Sequence, residues 1–218
     1  IVNNVLEVVY TLNDQDMKKT VFIIILMLTT LCVDAQNATQ ARKVLDKTAA
    51  IIGNKGGASA KFRISGSGMT TANGSIHIKG NRFHARTDQA MVWYNGKTQW
   101  SYLKSTNEVN VTTPTEAQRM RMNPYPFITM YKNGYTLGMT SKGVNYQVHL
   151  TAQNKQRTVQ EVYLTINKNT YKPSIVKMRE GNKWTTITIT GFQTKNLPYS
   201  MFSFSPKDFP TAEVIDLR

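Results

Sequence analysis

Few side chains in this 218-residue chain could do covalent chemistry, and their spacing argues against it. His77, His84 and His149 stand singly, without the neighbouring ligands that a zinc or other transition-metal site needs. The chain has one cysteine, Cys32, inside an apolar run, and no G-x-S-x-G elbow that would expose a nucleophilic serine. Beyond residue 35 the carboxylates are Asp46, Asp88, Glu108, Glu116, Glu161, Glu180, Asp208, Glu213 and Asp216, and none forms a tight acidic motif. The sequence therefore predicts no catalytic residue, no metal, no cofactor and no enzyme activity. What remains to act is a set of apolar and basic side chains.

The apolar set has a pattern of its own. Met120, Met122, Tyr125, Phe127, Ile128, Met130 and Tyr131 crowd around Pro124 and Pro126, while Met69, Met91, Met139 and Met178 fall in or beside alternating segments. Methionine is flexible and fits irregular shapes, which suits either a core or the cover of an adaptable pocket. Phe62, Ile64, Ile76, Ile78, Trp100 and Tyr102 are expected to share one interior face, with Trp93 close by. They either fill a dry barrel or line a cavity. Trp184, beside a turn and among lysine and threonine, reads as a surface or rim residue.

An export signal starts inside the chain. Met17-Lys18-Lys19 supplies a basic start, Val21 to Leu31 an apolar run, and Val33-Asp34-Ala35 an A-x-A-like end, the order of a bacterial secretory signal peptide. The run is too short to span a bilayer, which takes about 20 apolar residues. Leu31 ahead of Cys32 is not the small residue that a lipid-modified cysteine requires, so cleavage is expected after Ala35. Residues 1–16 then read as an upstream, non-native segment, 17–35 as the signal and 36–218 as one domain released into the periplasm. That domain carries 25 Lys and Arg against nine Asp and Glu, a net charge of +16. Such a surplus attracts phospholipid or lipopolysaccharide headgroups or acidic protein faces, or else is a solvated surface. The basic residues are scattered with no stripe, and no nucleic-acid partner is expected. Arg119, Arg121 and Lys132 border the methionine-rich stretch and are the candidates for docking.

These residues need elements to hold them. After Asn37, Ala41, Val44, Leu45, Thr48, Ala49 and Ile52 recur at three- and four-residue steps, predicting one amphipathic helix with Thr39 able to cap and a stop at Gly53. The period then changes to two through Lys61–Ser65, Ser75–Lys79, Val109–Val111, Tyr146–Leu150, Val162–Ile166 and Ile187–Ile189. Turn pairs at Asn73-Gly74, Gly80-Asn81, Asn95-Gly96, Lys142-Gly143 and Gly181-Asn182 predict successive antiparallel hairpins. About ten or eleven such strands make a mainly β fold, an incomplete, half-open antiparallel barrel. The N-terminal helix and a short helical lid over Pro114–Asn133, broken at Pro124 and Pro126, should cover it.

The run NGKTQWSY, Asn95 to Tyr102, resembles the D-G-K-x-x-W-x-Y hairpin of the LolA family, the periplasmic carriers of outer-membrane lipoproteins. Asn81-Arg82-Phe83 is similar to that family's P-N-x-F stretch, Asn123-Pro124 into Phe127-Ile128 to its lid entry, and Phe202-Ser203-Phe204-Ser205-Pro206 to its F-x-F-x-P close. The resemblance implies a half-open barrel capped by helices, with a lipid cavity lined by Phe62, Ile64, Ile76, Ile78, Trp93, Trp100, Tyr102, Met120, Tyr125, Phe127 and Met130. It also implies a transfer rim at Lys79 and Arg82. Lys79 stands where the family has an arginine and Gly80 where it has a proline, so a charge is kept and the bidentate fork is lost. The implied partners are acylated lipoproteins, an inner-membrane lipoprotein-releasing ABC transporter and an outer-membrane acceptor, served by a monomer. The alternative in the same fold is a sensor that binds lipid or acyl peptide without transporting it.

Overall fold

A computed structural model of the chain describes residues 37–115 and 129–218, together with Lys19. Residues 1–16, the export signal apart from Lys19, and Met120, Met122, Tyr125, Phe127, Ile128, Arg119 and Arg121 lie outside the described residues. Helix α1 covers 37–52, and the face predicted from its spacing is the one that packs: Ala41, Val44, Leu45, Thr48 and Ile52 are buried. Its end is marked by the Gly53 N–H donating to the Ala49 carbonyl at 2.7 Å. Thr39 lies within the helix and not at its start.

Twelve strands follow: β1 (Ala58–Gly66), β2 (Met69–Lys79), β3 (Arg82–Thr87), β4 (Ala90–Tyr94), β5 (Gln99–Leu103), β6 (Glu108–Thr112), β7 (Tyr135–Lys142), β8 (Asn145–Ala152), β9 (Glu161–Asn167), β10 (Pro173–Glu180), β11 (Lys183–Thr194) and β12 (Glu213–Asp216). They form one open sheet in the order β12-β6-β5-β4-β3-β2-β1-β11-β10-β9-β8-β7. Every pairing is antiparallel except β12 on β6, which is parallel. The two halves of the chain meet at β1 and β11, and among the described residues β7 and β12 are the outermost strands. Three of the five predicted turn pairs stand between strands; Lys142-Gly143 overlaps the end of β7, where the turn itself is Gly143-Val144, and Asn73-Gly74 is no turn, because it lies inside β2 opposite Arg63 and Phe62. The turn that joins β1 to β2 is at Ser67-Gly68.

The α1 face buries against β7 to β10. Ala41, Val44 and Leu45 pack with Met130, Tyr131, Val148, Leu150, Val162, Leu164, Ile166 and Val176 in one apolar core. Polar contacts fix the helix over it: Asn37 Oδ1 accepts from the Met139 N–H at 2.8 Å, Lys47 donates to the Tyr171 hydroxyl at 3.0 Å, and the Tyr131 hydroxyl donates to Asp46. A second core joins Ile52, the last residue of α1, to Ile76, Ile78, Phe83 and Tyr94. Among the described residues, no helix is long and apolar enough to cross a membrane.

Candidate functional site

Register decides which residues share the helix-covered face. Ala60 pairs with Ile76, Phe62 with Gly74 and Ile64 with Ala72, while on the other side Phe62 meets Ile189 and Ile64 meets Ile187. Cross-strand partners point to the same face, so these side chains converge beneath the end of α1. They enclose a cavity of about 300 Å³ lined by Ile52, by Ala60, Phe62 and Ile64 of β1, and by Met69, Ile76 and Ile78 of β2. Val176 and Met178 of β10 and Ile187, Ile189 and Phe192 of β11 form the opposite wall. Phe192 would fall on the wrong face by simple alternation from Ile189. The β1–β11 register shifts between Ser59 and Lys61, and Gly191 takes φ +59°, a conformation open to glycine, so a local bulge returns the ring to the cavity.

The cavity has a closed end and an open one. Ile52, Ile76 and Ile78 are at most 8% exposed, whereas Met69, at the β1–β2 turn, is 41% exposed. Among the described lining residues only Glu180 is charged and only Thr185 is otherwise polar, and both stand near the β10–β11 turn. The lining otherwise offers shape and apolar area, the properties of a site for an apolar ligand. Among the described residues no group of three or more His, Cys, Asp or Glu could hold a metal ion.

Four residues expected in a cavity, Phe62, Ile64, Ile76 and Ile78, line this one. Trp93, Trp100 and Tyr102 do not share their face, a correction to the sequence reading. The β2–β3 turn pairs Lys79 with Arg82, so Ile78 lies opposite Phe83 and His77 opposite His84. His84 pairs with Trp93, Trp93 with Trp100, and Met91 with Tyr102, which puts the three aromatic residues on the convex side. There the C-terminal segment covers Trp93 and Tyr102: Phe204 and Phe209 each meet Trp93 edge-on at 5.5 Å, and Phe209 lies 4.8 Å from Tyr102. Met130 is likewise core and not cavity wall, packed beneath α1 in a short 3-10 turn, Met130–Lys132.

Lys79 and Arg82 stand outside the cavity as well. Lys79 donates to the Leu197 carbonyl at 2.6 Å, and both cations lie over the Tyr199 ring, at 4.5 and 4.7 Å. On the same face His84 stacks on Trp93 at 5.0 Å. Burial holds both His77 and His84 below the ordinary histidine value of 6.5, with Lys195 adding to the effect on His77. Glu161 is held low chiefly by hydrogen bonds from Arg179, with further ones from Tyr163 and His149. Ile52, Met69, Val176, Met178, Phe192 and Glu180 also line the cavity, although nothing in their sequence spacing marks them as neighbours of one another. The β11 face of Ile187 and Ile189 was visible as alternation, but nothing in the sequence shows that β11 returns to β1.

A family model described as "Outer membrane lipoprotein carrier protein LolA" matches residues 31–182. The chain belongs to this family. No curated protein sequence matches it. Among solved structures, an uncharacterized conserved protein from Thermus thermophilus is similar over 81% of this chain and 99% of its own, at 15% identity and a TM-score of 0.56. That likeness shows a shared fold. Two others are similar at lower scores. A LolA superfamily protein from Nitrosomonas europaea matches at 13% identity over 75% of this chain and 97% of its own, with a TM-score of 0.43. A putative outer membrane lipoprotein-sorting protein domain from Vibrio parahaemolyticus matches at 10% identity over 79% and 97%, also with a TM-score of 0.43. The half-open β architecture expected from periodicity is thus that of the LolA fold, with twelve strands in the described residues.

Proposed function

We propose that this protein is a periplasmic chaperone that shields lipoprotein acyl chains in its apolar cavity and moves them from the inner to the outer membrane. It would receive them from an inner-membrane ABC exporter and yield them to an outer-membrane acceptor. The observation that carries the reading is the cavity itself, closed at one end by Ile52 of α1 and walled by β1, β2, β10 and β11, in a member of a family described as lipoprotein carriers. An acyl chain in water costs about 0.8 kcal/mol per methylene, so an anchor of some 30 methylenes needs cover worth roughly 25 kcal/mol to cross an aqueous space. A carrier must supply part of that cover without holding the chains too tightly to release them. An open-ended cavity with two methionines in its wall suits that compromise.

Mass spectrometry of protein purified from the periplasm of a bacterial host should find co-purifying lipid or acyl peptide. An acylated peptide should bind the delipidated protein, and Ile64→Asp should weaken that binding at least tenfold by placing a charge where methylenes belong. A protein that carries nothing and binds no acylated peptide would leave the cavity as a packing defect and overturn the carrier reading.

A further inference from the structure

We propose that the cavity takes one acyl chain at a time, and that Glu180 at its open end selects a chain whose head carries an ammonium group over one whose head is negatively charged. This rests on the acyl-chain reading above. Size argues for the single chain. An engineered apolar cavity of about 150 Å³ is filled by benzene, and at about 300 Å³ this one is twice as large. It therefore matches about a dozen carbons, far short of the 30 or so methylenes of a multi-chain anchor. Shape agrees. From the Ile78 row to the Ala72–Ile64 row is six residues of strand, about 20 Å at about 3.3 Å per residue, so the cavity is long enough for an extended chain.

Polarity gives the chain a direction. The buried end at Ile52, Ile76 and Ile78 suits the methyl terminus, and the exposed end near Met69 leaves the head at Glu180. The Glu180 carboxylate makes no hydrogen bond or ion pair among the described residues, and Lys183, its register partner across the hairpin, is exposed. A carboxylate with free acceptor capacity beside an apolar mouth attracts an ammonium and repels a carboxylate or phosphate. The chain as a whole is strongly basic, so its overall field favours anionic amphiphiles. A preference for a cationic head would thus be the signature of the local group.

The test compares dodecylammonium with dodecanoate below their micellar concentrations, by calorimetry on the purified protein, with native mass spectrometry to count bound chains. We expect one chain per protein and tighter binding of dodecylammonium by roughly two- to fivefold, the range for a partly exposed charge pair. Glu180→Gln should remove the preference and Glu180→Lys should reverse it, both with unchanged melting behaviour. Equal binding of both amphiphiles by the native protein and by Glu180→Gln would overturn the headgroup role and leave the acyl cavity standing. Two or more chains per protein would overturn the single-chain claim. Failure of both amphiphiles to bind would overturn the acyl-chain reading itself.

Discussion

A Cβ at Gly74 would stand 2.3 Å from the Arg86 carbonyl oxygen and 2.5 Å from the Phe62 ring. Glycine there lets the Phe62 ring lie against β2 while β3 pairs on its other side, and the ring in turn forms part of the cavity wall. Gly74→Ala should therefore destabilise the protein by about 1–3 kcal/mol, the usual cost of overpacking, and should weaken binding of an acyl probe as Phe62 is pushed aside. Chemical denaturation and probe titration on the same variant check both effects. Unchanged values for both would mean that the β2–β3 backbone yields freely. His77 and His84 make a second prediction at this scale. Burial favours their neutral forms in the folded protein, so below pH 6.5 the unfolded chain binds more protons than the folded one. The stability they contribute is complete above 6.5 and is lost as pH falls through 6.5 toward their lowered folded values. The melting temperature should drop between pH 7 and pH 5, and the double variant His77→Asn, His84→Asn should drop less. Glu161, held below the ordinary carboxylate value of 4.5, loses its contribution only under that pH and does not confuse the window.

The C-terminal segment acts as a strap across the convex face of β2 to β6. Lys195 and Leu197 donate backbone hydrogen bonds to Gly57 and Gly56, Phe202 is fully buried, and β12 ends the chain on the outer edge of β6. Lys79 fastens the middle of this strap through the Leu197 carbonyl and the Tyr199 ring. The family resemblance suggested a transfer residue at this position, whereas the contacts are those of a clamp. Lys79→Met should cost about 1 kcal/mol and raise amide hydrogen exchange across residues 195–204 while acyl-probe affinity stays within twofold. Normal exchange in that segment together with lost delivery to an acceptor would return Lys79 to a transfer role. The same region marks where the sequence could and could not be read. Alternation exposes the two faces of each strand, and the face of α1 was legible for the same reason. Alternation does not say which face of one strand matches which face of the next. That depends on loop length, and the two-residue turn Gly80-Asn81, pairing Lys79 with Arg82, puts Trp93 with His77 and not with Ile78. Asn73-Gly74 looked like a turn because its chemistry fits one, yet glycine is needed there for the close approach of a ring. The return of β11 to β1 and the parallel seat of β12 are long-range pairings without a local signal.

Across the whole molecule the two faces of the sheet differ in chemistry. The concave face is apolar and holds α1 and the cavity, while the convex face presents Lys61 and Arg63 of β1, Arg86 of β3 and Lys177 of β10, all exposed. Lys61, Ser75 and Arg86 fall in one cross-strand row, and Arg63 lies in the next row of that face, opposite Asn73 and Thr188. Glu161, the acid facing outward on β9, is already engaged by Arg179. Lys177 lies over the Trp184 ring at 4.6 Å, and Tyr163 stacks on His149 beside it, so aromatic edges accompany the charge as they do at membrane interfaces. A basic face of this kind should hold the protein at anionic phospholipid vesicles at low salt and release it steeply as ionic strength approaches 0.15 M, where screening acts within about 8 Å. The double charge reversal Lys61→Glu, Arg63→Glu should weaken vesicle association at low salt by tenfold or more, since each basic residue near an anionic surface contributes about 1 kcal/mol and each reversal replaces attraction with repulsion. Binding of an acyl probe should be unaffected, because the cavity opens on the other side of the sheet. Vesicle co-sedimentation across a salt series checks the prediction. Association that ignores both salt and the reversal would mean that this surface is merely solvated and that contact with membranes runs through the cavity's mouth alone.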